Sequence, residues 1–184
     1  MAQRTGMLTV PELQKLVDSG DIDTVIISFT DIQGRLVGKR MSARLFVEDA
    51  IDHGAECCNY LLAVDVENNT VPGYEFSSWE KGYNDMAMIP DMSTLRLVPW
   101  IPHTAMVMAD LQTTDHEPVA IAPRSLLNAQ IDRLKKMDLV PYVGTELEFI
   151  VFDDSFRDAW AKGYDNLHPS TDYNVDYDLL ASNR

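Results

Sequence analysis

Cysteine is nearly absent from this sequence: it has two, Cys57 and Cys58, side by side. With no second pair at ligand spacing they supply neither a disulfide framework nor a zinc site, and a reducing compartment is the simplest setting. Basic charge is also scarce, with 15 Lys and Arg against 29 Asp and Glu, for a formal net charge of -14. Phosphate backbones are gripped by basic patches, so this balance argues against a nucleic-acid surface. No apolar run reaches the roughly 18 residues of a membrane span, and the N-terminus lacks the apolar core of a signal peptide. A cytoplasmic protein with no membrane partner is the expectation. Also missing are the phosphate loop G-x-x-x-x-G-K-[ST], the fingerprint G-x-G-x-x-G, the zinc motif H-E-x-x-H and the elbow G-x-S-x-G. His53, His103, His116 and His168 are scattered, and none stands near a Ser or Cys in a triad-like arrangement.

What is present is a chain of 184 residues, 46% hydrophobic and 24% charged, long enough for one large domain or two small ones. Thr9-Val10-Pro11-Glu12 has the form of a capping box. It predicts a short helix with Leu13, Leu16 and Val17 inward and Gly20 as its stop. Residues 24–30 are rich in β-branched side chains and predict a strand. Asp31-Ile32-Gln33-Gly34 supplies a turn, and residues 35–41 return as the second strand of a hairpin. Ser42 is placed to cap a second helix running to Gly54, and residues 58–64 predict another short strand.

Residues 65–84 break the rhythm, with turn signals at Asn68-Asn69 and Pro72-Gly73 and four aromatics, Tyr74, Phe76, Trp79 and Tyr83. So long a loop inside a compact domain is functional or disordered, and the aromatics favour function. Anchoring on the core and contact with a ligand are equally open roles for them. Strands are predicted at 86–89, 94–98 and 104–111, with the methionines among them as core filler. A polar connector at 112–118 precedes a domain boundary near residue 120. Pro123 then opens a helix with Leu126, Leu127, Ile131, Leu134 and Met137 on one face.

That helix leads into Gly144-Thr145-Glu146-Leu147-Glu148-Phe149-Ile150-Val151-Phe152, read as a strand. Residues i and i+2 of a strand share a face at about 6.7 Å, so Glu146 and Glu148 would stand side by side. Two carboxylates on an apolar strand suit one divalent cation or two neighbouring ones. A solvent-facing acidic stripe accounts for the spacing equally simply. A short helix near 155–162 follows, then a polar tail from 164 rich in Asp and Tyr, with no clear period.

The segment 144–152 resembles the G-x-E-x-E-F-x-x-F strand of glutamine synthetases, and it is not alone. Asp31-Ile32-Gln33-Gly34-Arg35 resembles the family's F-T-D-x-x-G hairpin. Asp85 through Val98, with Pro90-Asp91 and Ser93-Thr94, resembles its D-x-x-x-x-P-D-x-S-T segment. Pro123-Arg124-Ser125 resembles its P-R-S helix entry, and Asn174-Val175-Asp176-Tyr177 extends the likeness. The resemblance implies an α+β protein: an N-terminal β-grasp domain over 1–120, then the truncated start of a catalytic α+β domain over 121–184. It implies an ATP-dependent ligase that joins ammonia to the γ-carboxyl of glutamate through a γ-glutamyl phosphate. Glu146 and Glu148 match its ligands for Mg²⁺ or Mn²⁺. The implied partners are glutamate, ATP, ammonia or an amine, and neighbouring subunits of a homo-oligomeric ring. The nucleotide site and the other metal ligands would fall beyond residue 184, so the chain alone is expected to be inactive.

One departure bears on the amine. The family's usual Asp-Gly-Ser-Ser, three residues, then Trp is here Glu75-Phe76-Ser77-Ser78 followed at once by Trp79. In the family that Asp helps bind and deprotonate ammonium. Asp85 matches a second acidic residue of the amine site, a catalytic position, and Glu75 and Trp79 fall where substrate would be bound. A γ-glutamyl-amine ligase using ethanolamine or a polyamine is therefore an alternative to ammonia. A non-catalytic binding or assembly module of the same fold is the alternative of another class.

Overall fold

The computed structural model describes residues 6–171; the tail motif Asn174–Tyr177 lies outside them. The described chain falls into two compact units, one ending at Pro141 and one beginning at Tyr142. This division by packing comes later than the family boundary expected near residue 120.

The first unit is α+β, a mixed five-stranded sheet with helices. Helix α1 (Val10–Ser19) starts where expected: the Thr9 hydroxyl accepts the Glu12 N–H, the Glu12 carboxylate accepts the Thr9 N–H at 2.7 Å, and Gly20 closes the helix at φ 78°. Strands β1 (Thr24–Thr30) and β2 (Leu36–Ser42) form the antiparallel hairpin. Gly38 is obligatory there, since a Cβ would overlap the Ile27 carbonyl oxygen and lie 2.8 Å from Ser28 Cα. Residues 43–53 are helical as α2 (Ala43–Leu45), a π-helical turn (Phe46–Ala50) and α3 (Ile51–His53). Ser42 does not cap it through its side chain; the Ala43 N–H instead donates to the Asp23 carbonyl.

Strand β3 (Ala55–Cys58) comes earlier than the strand expected at 58–64. Gly54 breaks the helix at φ 74°, so pairing with β4 begins at once, and residues 59–62 wind into a 3-10 turn. The strands expected at 86–89 and 94–98 are one, β4 (Asp85–Leu97), with a bulge between Asp91 and Arg96. Pro90-Asp91 reads locally as a turn, yet side chains bridge the break and the strand continues. The Asp91 carboxylate accepts the Ser93 N–H and hydroxyl, and Thr94 Oγ1 accepts the Met108 N–H at 2.9 Å. Strand β5 (Thr104–Gln112) pairs antiparallel with β4 and parallel with β1, giving the order β2-β1-β5-β4-β3.

The core lies on the sheet face carrying Val25, Ile27, Phe29, Val107 and Met88, filled by Leu13 of α1 and Phe46. Helix α4 (Pro123–Lys135) is anchored at its start but buries no side chain fully, and Leu126 and Leu127 of its expected inward face are exposed.

In the second unit, residues 144–150 form no regular secondary structure, and Leu147 and Phe149 are 89% and 81% exposed. A strand needs ladder partners, and among the described residues this segment has one isolated bridge, Phe152 to Pro169. The local pattern is that of a strand, but the described residues offer 144–150 no ladder partner. Helix α5 (Phe156–Ala161) is capped by the Ser155 hydroxyl. No helix among the described residues is long and apolar enough to cross a membrane.

Candidate functional site

The candidate residues fall in two places, one in each unit. In the first unit, Glu75 and Trp79 sit on the long loop that Asp85 ends. Buried Ser77 fastens that loop by donating its hydroxyl to Asn59 Oδ1 at 2.8 Å, and half-buried Phe76 packs against the core. Lys81 Nζ donates to the Glu75 carbonyl, and Ser78 bridges to Gly82, closing a tight turn around Trp79. The aromatics of the loop differ in exposure. Phe76 and Tyr83 anchor the loop, while Trp79 is 79% exposed and stands edge-on to Tyr83 at 5.2 Å, which in turn meets Tyr60 at 5.9 Å. Glu75 and Asp85 are exposed, so the loop presents two carboxylates and an indole to solvent.

In the second unit, Glu146 and Glu148 are exposed, and neither carboxylate bonds to another described side chain. Their oxygens are the hard donors that Mg²⁺ or Mn²⁺ takes, two residues apart in the chain, and they fit part of such a ligand set. No group of three acids, histidines or cysteines capable of holding a metal occurs among the described residues.

Three linkages have no local signal in the sequence. Arg124, the Arg of the P-R-S entry, donates Nε to Asp110 at 2.8 Å and Nη2 to Asp91 at 2.7 Å, tying the start of α4 to β5 and to the β4 bulge. Two of the motifs read separately in the sequence thus meet through one side chain. Burial pushes the Asp91 carboxyl up, but the Ser93 hydroxyl, the Arg124 guanidinium and the Ser93 N–H outweigh it and hold the carboxyl below its usual range. A carboxyl depressed in the fold contributes stability above its unfolded pKa, about 3.9, and loses it as pH falls through the folded value. Arg124→Ala is expected to cost about 1–2 kcal/mol near neutral pH, since both partners are part-exposed. That deficit should shrink as pH falls below about 4 and through the lowered folded value of Asp91. Thermal unfolding midpoints of wild type and variant across this pH range would check it.

The second linkage joins Asp31 and Arg35 at the hairpin tip, and the third centres on Asp154. The Asp154 side chain is 5% exposed; it accepts the His168 N–H at 2.6 Å and Lys162 Nζ at 2.8 Å. The His168 N–H, followed by Lys162, holds its carboxyl well below the carboxylate range. Burial pushes the Cys57 thiol up to about 12, which makes it a poor nucleophile, and Cys58 is half-buried beside it.

Comparison with known proteins accounts for the motif order. Residues 120–179 match the glutamine synthetase catalytic domain. The gamma-glutamylethanolamide synthetase GlnA4 of Streptomyces coelicolor is 52% identical over 184 residues, all of this chain and 40% of that protein. A glutamate–isopropylamine ligase of a Pseudomonas species is 35% identical over 158 residues, 86% of this chain and 34% of that one. Among solved structures, a complex of GmaS with ADP matches 68% of this chain and 26% of its own, with a TM-score of 0.53 at 26% identity. The chain belongs to the glutamine synthetase family, and it spans 40% or less of the length of these relatives.

Proposed function

We propose that the full-length protein is an ATP-dependent ligase that amidates the γ-carboxyl of glutamate with an amine larger than ammonia, ethanolamine being the leading candidate. The observation that carries this reading is the 52% identity, unbroken across the chain, to a gamma-glutamylethanolamide synthetase. The loop supports it. Where ammonia-using relatives are expected to carry Asp-Gly, this chain has Glu75-Phe76, and Phe76 is committed to packing on the core. The ammonia reading that the general family pattern favours therefore takes second place.

In this proposal Asp85 serves the amine site, and Glu75 and Trp79 line the approach to it. Glu146 and Glu148 would hold Mg²⁺ or Mn²⁺, which when bound offsets the charge of the transferring phosphoryl group. The order β2-β1-β5-β4-β3, with β1 parallel to β5, supports a β-grasp reading of residues 1–120, followed by the catalytic domain from 121. Ring assembly from like subunits and a cytoplasmic setting belong to the same proposal.

Mass spectrometry of products from glutamate, ATP and each of ethanolamine, isopropylamine, putrescine and ammonium tests it. The full-length enzyme should form γ-glutamylethanolamide with kcat/KM at least about tenfold above that for glutamine formation, the discrimination expected from roughly 1.4 kcal/mol of added amine contact. Preference for ammonium would overturn the proposal. No turnover of any amine would favour a non-catalytic module.

A further inference from the structure

The hairpin tip does more than reverse the chain. Asp31, with a side chain 0% exposed, accepts the Gln33 and Arg35 N–H groups on Oδ1 and Arg35 Nε on Oδ2 at 2.7 Å. This fixes the plane of the guanidinium, whose Nη2 also reaches Gln33 Oε1 at 3.5 Å. Arg35 Nη1 donates to the Val66 carbonyl at 2.7 Å, and Nη2 reaches Asn68 Oδ1 at 3.2 Å and the Asp65 carbonyl at 3.4 Å. Gln33 Nε2 adds a bond to the Val64 carbonyl at 2.7 Å. Three successive carbonyls, those of residues 64, 65 and 66, are therefore held by two side chains of the hairpin tip.

The segment they hold is itself a closed knot. Val64 bridges to Thr70, the Asp65 N–H donates to the Asn69 carbonyl, and the Asp65 carboxylate accepts the N–H groups of Glu67 and Asn69. From this knot the chain runs into the loop bearing Glu75 and Trp79. The far end of that loop is set by the pairing of Asp85 with Cys58 and by the Asn59 N–H on the Asn84 carbonyl. Each end thus has its own fastening, and the near one depends on Arg35.

We infer that Arg35, oriented by Asp31, is a positioning residue that sets where the amine-facing loop 71–85 stands. The inference rests on the functional reading above. Arg35 touches no substrate; it acts through the knot at residues 64–70. A lysine cannot replace it, because an ammonium lacks the planar fork that serves Asp31 and the carbonyls together.

The test uses the full-length enzyme and the variants Arg35→Gln and Arg35→Lys, with Gln33→Ala as a milder change should the first fail to fold. Amide exchange of residues 64–84 should quicken about tenfold in Arg35→Gln while β4 and β5 stay protected. The KM for the amine should rise about tenfold, with KM for glutamate and ATP within about twofold of wild type. Arg35→Lys should rescue little, and Gln33→Ala should show a smaller shift in the same direction. Unchanged exchange in residues 64–84 would overturn the latch. Faster exchange with all three KM values moved alike, or none moved, would overturn the positioning role. A wild-type enzyme that makes no γ-glutamyl amide overturns the functional reading instead, and the exchange measurement still decides the latch.

Discussion

Alanine at position 146 is expected to lower kcat/KM of the full-length ligase by about a thousandfold or more and to abolish its Mn²⁺ binding. The size follows from the charge that phosphoryl transfer gathers, which the cation neutralises only while its ligand set is complete. The position makes the experiment interpretable. Glu146 is exposed and bonds to no described side chain, so its loss should change stability by no more than about 0.5 kcal/mol. A fall in activity with an unchanged thermal midpoint therefore reports the metal role and not unfolding. Glu146→Gln, which keeps the shape and removes the charge, should fall nearly as far. Calorimetric titration with Mn²⁺ gives the binding half of the result. Retained binding and turnover would remove both glutamates from the proposed ligand set and raise the non-catalytic alternative.

How the sequence foretold the fold depends on the range of the forces involved. Helix α1 was legible because its capping box closes within three residues and its stop is a glycine that takes a positive φ. The β1–β2 hairpin was legible for the same reason: turn chemistry at Asp31 and Gly34 follows a run of β-branched residues and reverses the chain. Where local chemistry and tertiary packing disagree, the local reading fails. Pro90-Asp91 looks like a turn, yet both pair with β5 and only a bulge follows them, where Thr94 Oγ1 takes up the Met108 N–H. The segment 144–152 looks like a strand, yet among the described residues only Phe152 finds a bridge partner, and a ladder needs a neighbouring edge.

The candidate site divides in the same manner. Glu146 and Glu148 were singled out by spacing and given a role only by the resemblance; the structure adds that their carboxylates are uncommitted. The loop aromatics were visible as a cluster, but nothing in the sequence separates Phe76, which anchors, from Trp79, which faces solvent. Arg124 with Asp91 and Asp110 could not be paired in advance, because its partners lie 33 and 14 residues away and no periodicity joins them. Arg35 was counted as the first residue of a returning strand. Its bonds to the carbonyls of Asp65 and Val66 give it a second function that only the fold reveals.

Gly38→Ala is expected to cost about 3 kcal/mol or more, the largest stability effect of any substitution proposed for this chain. Its φ of 159° is one that residues with a side chain rarely adopt, and lack of space adds to that cost. The added methyl would overlap the Ile27 carbonyl oxygen and lie 2.8 Å from Ser28 Cα, both backbone atoms of the paired strand. No flexible side chain can move aside. Relief requires β2 to draw away from β1, opening the ladder between Ile27–Lys39 and Phe29–Val37. Because β2 is an edge strand, the damage should be confined at first: amides of residues 24–42 should lose protection while those of β4 and β5 keep theirs. The hairpin tip shares this ladder, so loosening it should also free residues 64–68 from Arg35 and raise the KM for the amine. Hydrogen exchange on the full-length protein would check both parts. Unaltered protection in β2 would mean that the strands separate at little cost, and that the hairpin is a weaker frame for the loop than its hydrogen bonds suggest.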